Sequence, residues 1–171
     1  MRGQVLTVVL TLALTIIMIK DSSAFANQVQ LFDSHSDAER AWVEACTWLR
    51  EMTPRTGIVL APPAKSSFPL LAQRATVVQF KFFPFTQMEV LEWYHRLLDL
   101  TGGRPPSEAG FKAQAEINEY YFRLTDGEIA RLTKKYNAEY LLTKCDEKRH
   151  SALVFSNETY CVFKLQAHAG L

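Results

Sequence analysis

The chain has 171 residues, enough for one domain plus a short appendage. With 48 % hydrophobic and 12 % aromatic residues it excludes a disordered protein, and a net charge of +1 from 19 basic and 18 acidic residues excludes the basic face a nucleic-acid partner needs. Its three cysteines, Cys46, Cys145 and Cys161, form no CxxC and no Cys/His metal spacing, which leaves no metal site and no dense disulfide scaffold.

The N-terminus sets the compartment. Arg2 precedes an apolar run, Val5 to Ile19, that ends at Lys20-Asp21. Two readings fit residues 1–26. One is a secretory signal with a small-residue site at Ala24-Phe25-Ala26; the other is a membrane anchor, short against the roughly 20 residues a spanning helix uses. Both put the rest of the chain outside the cytoplasm, and an uncleaved Val5–Ile19 makes the membrane a partner. Residues 27–35 read as a linker, 36–166 as an extracytoplasmic α/β domain, and 167–171 as a tail.

Within the domain, Ser36-Asp37-Ala38-Glu39 is a capping box. It opens a helix with the stripe Ala38, Ala41, Trp42, Ala45, Cys46 and Leu49, stopped by Thr53-Pro54. Gly57 to Ala61 is a wholly apolar run suited to a strand covered on both faces, and Pro62-Pro63 ends it. Ala64 to Gln73 reads as loop. Ala75 to Phe80 is the second strand, Pro84 breaks the chain, and Thr86 with Glu89 caps the next helix. That helix carries the stripe Val90, Leu91, Tyr94, Leu97 and Leu98, with Trp93 on the opposite side, and stops at Thr101-Gly102-Gly103.

Phe111 to Leu124 is weakly helical. Thr125 to Glu128 is a third capping box, leading a helix through Tyr136 to a left-handed terminus at Asn137. Tyr140–Thr143 is a third strand, and Leu153–Phe155 with Thr159–Leu165 form a closing hairpin. This order predicts a small three-layer α/β fold, its sheet mostly parallel with an antiparallel C-terminal hairpin, plus one N-terminal hydrophobic helix.

Ligands of open α/β sheets gather at the carboxyl ends of strands. The second strand leaves through Lys81, just before a helix N-terminus that favours anions. Glu92 and Arg96 are spaced for a helix ion pair, and Trp93 lies beside them. Arg74 stands at the opposite end of the strand from Lys81. The bland readings are a solvated lysine, a surface pair and a packed tryptophan. Cys46, on a buried stripe, reads as an inert thiol. His35, His95, His150 and His168 are scattered, no serine sits in a GxSxG elbow, and no catalytic residue or cofactor is indicated. Asn157-Glu158-Thr159 matches a glycosylation sequon in a tight turn, and Cys145 and Cys161 are close enough to form a disulfide if their strands are neighbours.

Several stretches carry a resemblance: CTWLREMTP at Cys46–Pro54, IVLAPP at Ile58–Pro63, RATVVQFKFFPF at Arg74–Phe85, LEWYHRL at Leu91–Leu97, and the closing YNAEYLLT and FSNETYCVFKL. From Trp42 onward the chain resembles a family of uncharacterised domains at the C-terminal end of multi-spanning bacterial membrane proteins. Those proteins look like polyprenyl-phosphate-sugar-dependent glycosyltransferases. The resemblance implies an accessory domain, favours the anchor at Val5–Ile19, and suggests a glycan or lipid-linked sugar as partner. Its pattern is densest at Arg74, Lys81, Pro84, Trp93 and Arg96; a single apolar segment departs from the multi-spanning architecture. The leading expectation is a non-catalytic accessory or binding domain. The alternatives are a small periplasmic enzyme acting on an anionic or sugar-phosphate substrate through Lys81, Glu92 and Arg96, and an interaction domain with an apolar patch around Trp93.

Overall fold

The computed structural model describes residues 36–145, 149 and 151–165. The chain divides after Asp37, and the fold below is that of the unit beginning at Ala38. The expectations for Val5–Ile19, for the linker at 27–35 and for the tail at 167–171 lie outside the described residues, as do His35, His150 and His168. No described helix is long and apolar enough to cross a membrane.

Helix α1 spans Asp37–Met52 and buries Ala41, Trp42, Ala45, Cys46 and Leu49, one row at helical spacing. The strand β1, Ile58–Leu60, follows, then a five-residue helix α2, Phe68–Ala72. The sequence reading has loop here, and a single turn is too short to show a period. Pro69 presets its first turn and Gln73, at φ 49°, ends it in the left-handed region.

The strand β2 is only Ala75–Thr76, paired in parallel with Ile58 and Val59. The expected strand ran to Phe80. Pro62 and Pro63 follow β1 almost at once and have no N–H to extend the ladder. Val77, Val78 and Gln79 leave the ladder yet stay buried.

Helix α3 spans Gln87–Leu100, α4 Ala113–Phe122 after a short 3₁₀ turn at Gly110–Lys112, and α5 Asp126–Tyr136. The strands β3 (Tyr140–Lys144), β4 (Ala152–Ser156) and β5 (Tyr160–Lys164) complete a five-stranded sheet of order β2-β1-β3-β5-β4. β1 pairs in parallel with β2 and β3, whereas β5 is antiparallel to both β3 and β4. Parallel and antiparallel pairings are thus equal in number, and the sheet is mixed rather than mostly parallel.

Alternation along the strands gives each face its own core. Val59, Tyr140, Leu142, Tyr160 and Val162 pack with α1 and α2. Leu60, Leu141, Cys161 and Phe163 pack with α3, α4 and α5. Trp42 ties the first face together: its Nε1 donates to Ser67 Oγ at 3.0 Å and its ring meets Tyr160 edge-on at 5.2 Å.

Candidate functional site

Beyond β2 the chain turns through Lys81–Pro84 into α3, whose cap is Thr86. The Thr86 hydroxyl accepts from the Glu89 amide at 3.4 Å and donates to the Glu89 carboxylate at 2.7 Å. The row of α3 that faces the domain is Val90, Trp93, Leu97 and Leu100, with Leu97 and Leu100 fully buried. This corrects the expected stripe: Leu91 and Tyr94 are exposed, and Trp93 is turned inward. Trp93 fixes that rotation. Its Nε1 donates to the Gln79 carbonyl at 3.0 Å, and its ring lies 6.1 Å from Phe80 and 5.1 Å from Phe83.

Between the Val77–Gln79 segment and α3 lies a cleft of about 270 Å³, lined among others by Gln79, Phe82, Glu89, Glu92, Trp93 and Arg96. Gln79 is only 5 % exposed, and neither its Nε2 nor its Oε1 has a hydrogen-bond partner. Burying an amide in this state costs about 1–3 kcal/mol, so a native chain that keeps one invites a functional account. The charged side chains of the cleft are two carboxylates and one guanidinium, a small negative excess: Arg96 is paired with Glu92 one turn away, and Glu89 is engaged by the cap. Around the cleft and the start of α3, Phe82, Phe83, Phe85, Met88 and Leu91 are exposed, Phe85 completely.

Of the residues singled out by sequence, Glu92, Trp93 and Arg96 come together here. Lys81 does not line the cleft; its Nζ sits 5.8 Å from the centre of the exposed Phe111 ring. Arg74 is 6 % exposed and turned to the end of α1. Its guanidinium donates to Thr53 Oγ1 (2.9 Å), to the carbonyls of Arg50 and Thr53 (2.5 Å each) and to the Gln73 carbonyl (2.9 Å). Gln79 was missed by sequence reasoning; the available signal was a lone amide inside the apolar run ATVVQF.

Burial pushes the Cys46 thiol up to about 12, too high for a thiolate nucleophile. Among the described residues no group of His, Cys, Asp and Glu is arranged to hold a metal ion. A second feature bears on the chain's history: Cys145, just past β3, is joined to Cys161 in β5 by a disulfide.

No curated protein and no solved structure matches the chain. A family match at residues 40–100 carries no link to bacterial membrane proteins or to glycosyltransferases. It covers the stretch from α1 to the end of α3, and so includes Arg74, Gln79 and the whole lining of the cleft. Residues 40–100 match the family described as a domain of unknown function, DUF6798.

Proposed function

We propose that this is a non-catalytic, extracytoplasmic binding domain of a membrane-associated system, and that its ligand is a glycan or lipid-linked sugar seated in the cleft beside Gln79. The observation that carries the reading is the unpartnered Gln79 amide in the cleft wall. An amide offers two donors and an acceptor, and the carboxylates and guanidinium of Glu89, Glu92 and Arg96 add more of each. Sugar hydroxyls, which both donate and accept, suit such a mixed set. The exposed aromatic residues at Phe82, Phe83 and Phe85 supply apolar contact beside it. The Cys145–Cys161 disulfide supports export, since such bonds persist in oxidising compartments. In this reading Val5–Ile19 is the signal or the anchor. The enzymatic alternative has less support, because Lys81 lies against Phe111 instead of beside Glu92 and Arg96.

The test is Gln79→Leu in the full chain. Removing a buried amide without partners should leave stability unchanged or raise it by about 1 kcal/mol, while abolishing the Trp93 fluorescence change on titration with oligosaccharides and polyprenyl-linked sugars. A variant that melts early, or a wild type that answers none of these sugars, overturns the proposal.

A further inference from the structure

A second cleft, independent of the first, opens at the carboxyl end of β3. Its volume is about 420 Å³, and its lining includes Asn118, Glu119, Phe122, Arg123, Lys144 and Arg149. The strand order places it: the chain adds β2 on one side of β1 and then β3 on the other, so the order reverses between β1 and β3. Crevices at the carboxyl ends of strands beside such a reversal are the usual ligand sites of open α/β sheets. Lys144 is the last residue of β3. Asn118, on α4, reaches the chain leaving β1, where its Oδ1 accepts from the Ala64 amide at 3.1 Å.

The polar atoms of this cleft are almost all donors. With Oδ1 of Asn118 committed to Ala64, the rest of its amide is Nδ2, a donor. Arg123, Lys144 and Arg149 bring three positive charges, in a chain whose net charge is only +1. Glu119 is the one lining carboxylate, and Arg123 covers it at 2.6 Å. Arg149 is held in place: its side chain is 4 % exposed and donates to the Leu124 carbonyl at 3.0 Å and to Asp126 at 3.2 Å. Lys144 Nζ rides over the Phe122 ring at 5.0 Å, so the wall that carries charge also carries an aromatic surface.

We propose that this cleft binds a small phosphomonoester, its phosphate held by Lys144, Arg123 and Arg149 and its organic body against Phe122. A phosphate dianion has the acceptor oxygens to engage several cations at once, which a carboxylate matches only in part. The site takes an anion, in contrast to the slightly negative cleft beside Gln79, and stands whether or not that cleft binds a sugar.

Calorimetric titration of the full chain tests it with phenyl phosphate, inorganic phosphate and benzoate. Phenyl phosphate should bind saturably, more weakly as salt is added, and more tightly than either of the others. Lys144→Glu should lower its affinity about tenfold or more, the effect of losing one charge-assisted contact, with the melting temperature of the free protein unchanged. Should Lys144→Glu melt early, Arg123→Ala, altered only at an exposed side chain, serves the same purpose. No saturable heat with phenyl phosphate, wild-type affinity in the variants, or equal binding of benzoate each overturns the assignment.

Discussion

Two polar residues show how much of this domain rests on single side chains. Arg74 places a buried cation at the negative end of the α1 dipole and satisfies carbonyls that a helix terminus leaves open. Arg74→Met should therefore cost about 3 kcal/mol in urea denaturation, and Arg74→Lys should recover only part, because one ammonium cannot span the positions a planar fork reaches. A loss under about 0.5 kcal/mol would deny Arg74 this capping role. Asn157, the sequon asparagine, has both ends of its amide engaged. Nδ2 donates to the Ala41 carbonyl (2.8 Å) and the Glu44 carboxylate (3.0 Å), while Oδ1 accepts from the amides of Thr159 (3.1 Å) and Tyr160 (2.8 Å). Asn157→Asp keeps the accepting oxygen and turns the donor into an anion facing Glu44. It should lower stability by about 2 kcal/mol at neutral pH, more than Asn157→Ala does, as thermal melts would show.

At the scale of elements, helix ends decide the geometry. α3 closes with Gly102 at φ +65°, its N–H on the Asp99 carbonyl and that of Gly103 on the Leu98 carbonyl, the paired bonds of a Schellman terminus. A Cβ on Gly102 would stand 2.5 Å from Glu128 Oε1, and Glu128 is the return arm of the Thr125 capping box that starts α5. Gly102→Ala should thus strain one helix end and disturb the other, costing about 2 kcal/mol in equilibrium unfolding; a neutral result would show that Glu128 swings away freely. These ends were legible in the sequence because caps are local: Thr86 with Glu89, Thr125 with Glu128, and Asn137 at φ +51° are short-range patterns. The stripe of α1 was legible for the same reason. What was not legible depended on partners far along the chain. The two proline residues after β1 shortened β2, and the expected inner face of α3, Val90, Leu91, Tyr94, Leu97 and Leu98 with Trp93 opposite, gave way to one that includes Trp93, Leu97 and Leu100 once the Gln79 carbonyl met Trp93. The cleft follows the same division. Glu92, Trp93 and Arg96 reach it together because one helix carries them, whereas the directions of Arg74, Lys81 and Gln79 are set by tertiary packing.

On the scale of the whole molecule, two cross-links brace the sheet and its covering helices. The disulfide closes a separation of 16 residues between the end of β3 and β5. Cys145→Ser with Cys161→Ser should cost about 3 kcal/mol, read as a fall in the urea midpoint that reductant reproduces in the wild type. The other cross-link is ionic and joins α3 to α5. Asp99 accepts from Lys135 Nζ at 2.5 Å and from the Tyr136 hydroxyl, with Arg131 at 3.6 Å. Burial pushes the Asp99 carboxyl up, but the bonds from Lys135 and Tyr136 and the charges of Lys135 and Arg131 together hold it below its ordinary 3.8. An unfolded chain therefore takes up this proton first as pH falls. The stabilisation is complete well above 3.8 and drains away as pH drops below 3.8 through the lower folded value. The hydrogen bond to Asp99 raises the pKa of Lys135, and burial followed by the same carboxylate raises that of Tyr136, so the contribution also fades when strong alkali removes those protons. The difference in unfolding free energy between wild type and Asp99→Asn should be a plateau of about 1 kcal/mol near neutrality, falling at both extremes. Urea titrations across the pH range measure that difference directly. A gap that stays constant into acid would mean the three donors hold the asparagine as well as the carboxylate, and that charge has no part in clamping α3 to α5.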